Sequence, residues 1–295
     1  MKYLIINADD FGKSIAINSA IKKCFTLGTI TGASIMPVAH YFDDAVSITK
    51  ELGIKEIGAH LTLSGNFAPV TKGKELTVLR DNKKMFPYGY QEFLTRYLFK
   101  KIGKARIHEE LSSQLQRIKE TGLKITHIDS HEHIHILPAI FDVIINLAKT
   151  FNVPYIRIPF ESGVIARENF TLKNFSRYCA LRGIFLFSRE NIKYSNLKHN
   201  SFFWGHFHSG NITENVFNYM ISNLNEGCHE LAIHPALFNP EFIKQEPWHK
   251  NSHKELKLFE NPYLKNNLLS KNIKLISHSE YVLLPDNSTP KKRNS

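Results

Sequence analysis

Cysteine is scarce: Cys24, Cys179 and Cys228 are the three in a chain of 295 residues, widely spaced and outside any Cys-x-x-Cys pattern. That excludes a disulfide framework and a thiolate zinc site, and reduced, structural cysteines are expected. No apolar run approaches the roughly 18 residues a membrane-spanning helix needs, so no membrane partner is expected. The opening Met1-Lys2-Tyr3-Leu4-Ile5-Ile6-Asn7 is too short an apolar stretch for a signal peptide and meets Asp9-Asp10 almost at once. A cytoplasmic protein is the expectation. Internal repeats are absent, and the one low-complexity stretch is the basic tail at 286–295, which reads as disordered. Aromatic interleaving is missing from both local excesses of positive charge, Arg96, Lys100, Lys101, Lys104 and Arg106 in one span and Lys291-Lys292-Arg293 in the tail. The formal net charge of +11 therefore carries no nucleic-acid motif, and no nucleic-acid partner is expected. Self-association is left open.

What is present is an ordinary globular composition, 42% hydrophobic and 22% charged, in a length that suits one α/β barrel. Tyr3 to Asn7 reads as a strand, Ala8 to Gly12 as a polar loop, and Ile17, Ala20, Ile21, Cys24 and Phe25 recur at helical spacing up to Gly28. Further strands are expected at 29–36, 57–63, 126–135, 153–158, 201–207, 230–233 and 273–276. Helices are expected near 41–52, 110–121, 138–149, 213–224 and 252–269. Between Ser64 and Ile107 the period is lost, which reads as an inserted loop or lid. Eight strands alternating with helices predict an α/β fold with mostly parallel strands, an irregular (β/α) barrel over 1–285. In that architecture the functional face lies at the carboxyl ends of the strands.

The richest stretch is Thr126-His127-Ile128-Asp129-Ser130-His131-Glu132-His133-Ile134-His135. Extended, it would put Asp129, His131, His133 and His135 on one face and Ile128 and Ile134 on the other. Imidazoles beside a carboxylate suit zinc or a similar divalent ion; the alternative is a His-rich surface strand. Adjacent Asp9 and Asp10 are costly to bury together unless a cation relieves them, or else one of them caps the helix beginning near Ser14. His60 is either a ligand or a hydrogen-bonded core histidine. His234, after an apolar run and before Pro235, is either a free strand-end imidazole or a turn-lining one.

Taken in order, Asn7-Ala8-Asp9-Asp10-Phe11-Gly12, Gly58-Ala59-His60-Leu61 and Thr126-His127-Ile128-Asp129-Ser130-His131 with His133 and His135 resemble the motifs of the YdjC-like carbohydrate deacetylases. This family includes chitooligosaccharide deacetylase and hopanoid-associated relatives. Arg157 before Pro159 and the Glu230 to Pro235 stretch are similar to its later segments. Two positions depart from its pattern, Glu132 where a histidine is usual and Ala236 where glycine usually follows His-Pro. In an extended strand Glu132 would face away from His131.

The resemblance implies an irregular barrel holding a divalent ion, Mg2+ or Zn2+, through Asp10, His60 and His131. It further implies that Asp9 is the general base, His234 the general acid for the departing amine, and Arg157, His133 and His135 substrate-binding or supporting groups. The substrate would be an N-acetylated amino sugar or short oligosaccharide, and Phe86, Tyr88 and Trp204 are available to stack on sugar faces. A metal-dependent phosphoesterase-type hydrolase on the same barrel, or a non-catalytic saccharide-binding protein, are the rival readings.

Overall fold

The computed structural model describes residues 1–71, 85–100, 103–161, 168, 170–193 and 195–285. Its centre is a curled sheet of parallel strands: β1 (Lys2–Phe11), β2 (Gly32–Ile35), β3 (Glu56–Leu61), β4 (Lys124–Ser130), β5 (Tyr155–Ile156), β6 (Phe202–Trp204), β7 (Gly227–Ile233) and β8 (Ile273–Leu275). The order is β5-β4-β3-β2-β1-β7-β6, with β8 paired to the start of β1 through Lys2, Tyr3 and Leu4. The outer strands approach each other through isolated bridges, Tyr155 to Lys198 and Glu161 to Phe203. Asn200 completes that seam, its Oδ1 accepting from Ile158 N at 2.8 Å and its Nδ2 donating to Ile158 O at 2.7 Å. A side-chain amide thus does what a strand neighbour would do for a buried backbone. The architecture is α/β and TIM-barrel-like.

Helices pack on the outside by burying one face. In Ile15–Leu27, Ile17, Ala20, Ile21 and Cys24 are buried; Ser14 Oγ accepts from Ile17 N, and Gly28 ends the helix at φ 62°. Ser14 is therefore the cap, which releases Asp9 and Asp10 from that role. Helix Lys104–Glu120 buries Leu111, Leu115 and Ile118, and begins six residues before the expected start. The 64–107 segment is not loop throughout, since it also carries helix Tyr90–Lys100; residues 72–84 and 101–102, and the basic tail at 286–295, lie outside the described residues. A 22-residue helix, Leu172–Lys193, follows β5 where the periodicity had given no element. Among the described residues no helix is long and apolar enough to cross a membrane.

Alternation along β1 sends Leu4, Ile6 and Ala8 into the main core against the helices. Ile5 instead packs with Tyr155, Cys228 and Ile276 inside the barrel, so Asn7 and Asp9 also point inward. The interior becomes polar toward the carboxyl ends of the strands, where Asp9, Ser34, His60, Asp129, Arg157 and Glu230 are all buried. Gly58 makes room for this: a Cβ there would stand 2.1 Å from the His127 imidazole.

The histidine segment departs from the extended form. β4 stops at Ser130, and His131–Ile136 is a 3-10 turn in which Glu132 and His133 take left-handed φ values of 56° and 55°. Asp129, His131, His133 and His135 consequently do not share one strand face.

Candidate active site

Asp9 and Asp10 are neighbours in a strand, yet both reach the same cavity. The pairing of β1 with β2 shifts register between Ala8 and Phe11, and Asp10 has φ 63°. This irregularity turns the second carboxylate to the side already occupied by the first.

Asp10 Oδ1 lies 3.1 Å from His131 Nδ1 and 3.4 Å from His60 Nε2. Ligand atoms of these three residues all fall within 4.8 Å of one another. His60 is aimed by its other nitrogen, Nδ1, which is 2.8 Å from Asp129 Oδ1; that carboxylate fixes the tautomer and leaves Nε2 directed at Asp10. His131 is seated against Gly65, whose absent Cβ would be 3.3 Å from the ring. Asp9, His60 and Asp129 form a second such group, but both of its carboxylates already face a guanidinium. The Arg157 guanidinium holds Asp9 Oδ2 at 2.6 Å, Asp9 Oδ1 at 2.8 Å, Asp129 Oδ2 at 2.8 Å and Glu230 Oε1 at 2.5 Å.

Charge bookkeeping gives an independent test of whether a divalent ion fits. Asp9, Asp10, Asp129 and Glu230 are four buried carboxylates. The cations facing them are Arg157 and Lys13, the latter 3.4 Å from Asp10 Oδ2. With His60 neutral, as a metal ligand is, four against two leaves two negative charges in a buried site, the deficit a divalent ion would cancel; without an ion, a protonated His60 carries part of that compensation. The same deficit shows in His60: burial alone would depress its pKa, but Asp129 and then Asp10 outweigh burial and push it up to about 10. Around Asp10, burial opposes ionisation and loses to Lys13 and His131, so the carboxyl sits well below its ordinary value. Asp9 is likewise held far down, burial being outweighed chiefly by Arg157.

His234 follows β7, with its backbone N donating to Glu255 Oε2 at 2.7 Å and Nε2 4.0 Å from Asp9 Oδ2. Burial lowers its pKa, against the pull of Asp9 and Asp10, so the imidazole is neutral near pH 7. His133 packs against Phe203 and His206, ring centroids 5.4 and 5.3 Å away. His135 turns back instead, Nδ1 to Ser130 Oγ at 2.6 Å and Nε2 to Arg157 O at 2.9 Å, and so supports the arginine. Glu132 accepts from Ser64 Oγ at 2.5 Å, linking the loops after β3 and β4. Of the three aromatics expected to stack on sugar, Phe86 and Trp204 are buried in the core and only Tyr88 is exposed.

Three groups at the site were not picked out in the sequence. Lys13 and His249 both approach Asp10 Oδ2, at 3.4 and 3.6 Å, and Trp248 stands edge-on to His234 at 4.8 Å between centroids. Lys13 follows the Asp-Asp-Phe-Gly turn directly and was within reach of the motif; nothing in the local pattern marks Trp248 or His249.

The model of the family described as YdjC-like protein matches residues 3–270. The chain belongs to the YdjC-like family. Its relatives include proteins named carbohydrate deacetylase from Brevibacillus brevis, 28% identical over 94% of this chain and 98% of that one, and from Thermoanaerobacter pseudethanolicus, 25% identical over 95% and 99%. The crystal structure of a proposed cellobiose-phosphate cleavage protein from Enterococcus faecalis superposes with a TM-score of 0.75 at 20% identity, covering 95% of this chain and 98% of that one. The YdjC-like fold is thus shared over nearly the whole length.

Proposed function

We propose that this YdjC-like protein is a divalent-metal-dependent hydrolase that removes the acetyl group from an N-acetylated amino sugar or short oligosaccharide. The observation that carries the reading is the convergence of Asp10, His60 and His131 beside the Asp9–Arg157 pair and His234, in a family whose relatives are named carbohydrate deacetylase.

Asp10, His60 and His131 would hold the ion; one carboxylate and two imidazoles favour zinc over magnesium, which prefers an all-oxygen shell. When bound, it supplies Lewis acidity for the substrate carbonyl and for the attacking water. Asp9 stays ionised and is locked in place by the two-pronged contact with Arg157; that contact holds its basicity down, so as the base it would keep the proton only transiently. His234 begins neutral and lies 4.0 Å from Asp9. Once protonated, it delivers the proton to the amine nitrogen, which cannot leave unprotonated; the 4.0 Å to Asp9 is too long for a direct hand-over, so the substrate or a bridging group has to close it. One proton leaves water and one reaches the amine, so the pair returns to its starting state after each turnover. His133, packed against Phe203 and His206, would line the substrate side, and Arg157 and His135 would hold the site in register.

The test is acetate release from N-acetylated mono-, di- and oligosaccharides, with phosphate esters in the same panel, after chelation and add-back of Zn2+ or Mg2+. Metal-dependent acetate release supports the proposal. Phosphate release, or sugar binding without turnover, overturns it.

A further inference from the structure

Large apolar side chains left open to water beside reacting groups mark binding surfaces. Trp248 is 41% exposed, whereas Trp204 is 4% exposed in the core. The indole is held rather than loose. It sits on the 3-10 turn Pro247–Asn251, and the next residue, His249, is buried with Nδ1 3.1 Å from Ser252 Oγ and Nε2 3.2 Å from Lys13 Nζ. Asn251 Nδ2 donates to Asn211 Oδ1 at 2.6 Å. Gly210, at φ 73°, gives the ring its seat: a Cβ there would come within 3.1 to 3.3 Å of three adjacent ring atoms. His234 and His249 stand nearly perpendicular to the indole, at 82° and 84°.

A rigid, half-open aromatic surface is thus fixed against the imidazole assigned to the leaving amine. The amine is a substituent of the sugar ring, so a ring whose nitrogen is at His234 must lie alongside Trp248. One face of a pyranose presents mainly C–H bonds, and an indole removes that face from water while leaving the hydroxyls free at the rim.

We propose that Trp248 is the platform of a saccharide subsite, stacking on the pyranose that carries the acetamido group or on its immediate neighbour. The proposal rests on the deacetylase reading for the position of the amine. It assigns the residue a binding role: stacking made equally in the ground and transition states moves KM and spares kcat.

The chain has two tryptophans, so the emission of Trp248 is the part of the intrinsic fluorescence that is lost in its variants, Trp204 remaining as the constant background. The experiment titrates the full-length protein with N-acetylglucosamine and its β-linked dimer, following emission, and measures acetate release in parallel for wild type, Trp248→Phe and Trp248→Ala. The expected result is a saturable emission change in the wild type that is lost in both variants. KM should rise about 10-fold in Trp248→Ala, with partial recovery in Trp248→Phe and kcat held within about two-fold. Acetate release with no emission change and an unaltered KM in Trp248→Ala overturns the platform and leaves the deacetylase reading standing. A saturable emission change without acetate release keeps the platform and removes the deacetylase. Absence of both overturns both.

Discussion

Replacing Arg157 by methionine tests the electrostatic core of the site. The guanidinium is fully buried and faces Asp9, Asp129 and Glu230 at 2.5 to 2.8 Å. Methionine conserves much of the volume but leaves three buried carboxylates without their cation. Breaking a buried pair from one side costs on the order of 3–5 kcal/mol, which for a chain of this size lowers Tm by roughly 10 °C. The pH dependence is more diagnostic than the size. In the wild type Glu230 is held down to about 2, burial being outweighed by Arg157 and His278. A depressed carboxyl contributes stability above its unfolded value of about 4.3 and loses it as pH falls toward 2. Without Arg157, burial is unopposed by that charge and the folded pKa values rise above the unfolded ones. The variant is then most stable below the ordinary carboxylate range and loses stability as pH rises. Thermal unfolding of both proteins in chelator at pH 5, 6 and 7 gives the comparison, and taking the difference between the two curves cancels the histidines common to both. The variant should recover a large part of its deficit on going from pH 7 to pH 5. A deficit below about 1 kcal/mol, or one that does not change with pH, would refute the reasoning.

Asp129→Asn should weaken metal binding about 10- to 100-fold, because His60 loses the carboxylate that orients its ring; isothermal titration with Zn2+ measures this, and an unchanged affinity contradicts it. Gly65→Ala places a methyl 3.0 Å from Phe67 and 3.3 Å from His131 at φ 90°. It should reduce metal affinity more than it reduces Tm, and the reverse order would show that His131 is not seated by Gly65. Gly58→Ala directs a methyl into the His127 ring, which is stacked on His278 at 3.5 Å between centroids. Overpacking of this kind costs about 1–3 kcal/mol, read as a lower midpoint in urea; wild-type stability would show that the interior yields there.

The strands were legible because buried parallel strands are short apolar runs separated by helices with a regular apolar face, as in Ile17, Ala20, Ile21 and Cys24. The ends of those strands were less so. His131 to His135 alternate with apolar residues as a strand would, yet two left-handed residues fold them into a turn, a backbone choice that alternation does not encode. Asp9 and Asp10 were recognisable as a pair but read as part of a polar loop, whereas β1 runs on to Phe11; the register shift that then brings both carboxylates to one side depends on β2. Trp248 and His249 join the site only through the turn at 247–251, so local pattern held no sign of them. Phe86 and Trp204 carry the same aromatic signal as Trp248 and are buried, because composition does not distinguish a core ring from a binding one.

Metal stoichiometry and kcat across a Zn2+ or Mg2+ titration of Asp10→Ala and Asp9→Asn test most directly the claim that one aspartate binds while its neighbour reacts. Asp10→Ala should show weakened metal affinity and partial rescue of activity at high metal. Asp9→Asn should still bind one ion through Asp10, His60 and His131, lose roughly 10²- to 10⁴-fold in kcat, the worth of a positioned base, and gain nothing from added metal. Loss of the ion from Asp9→Asn, or full activity in it, would contradict the division of roles.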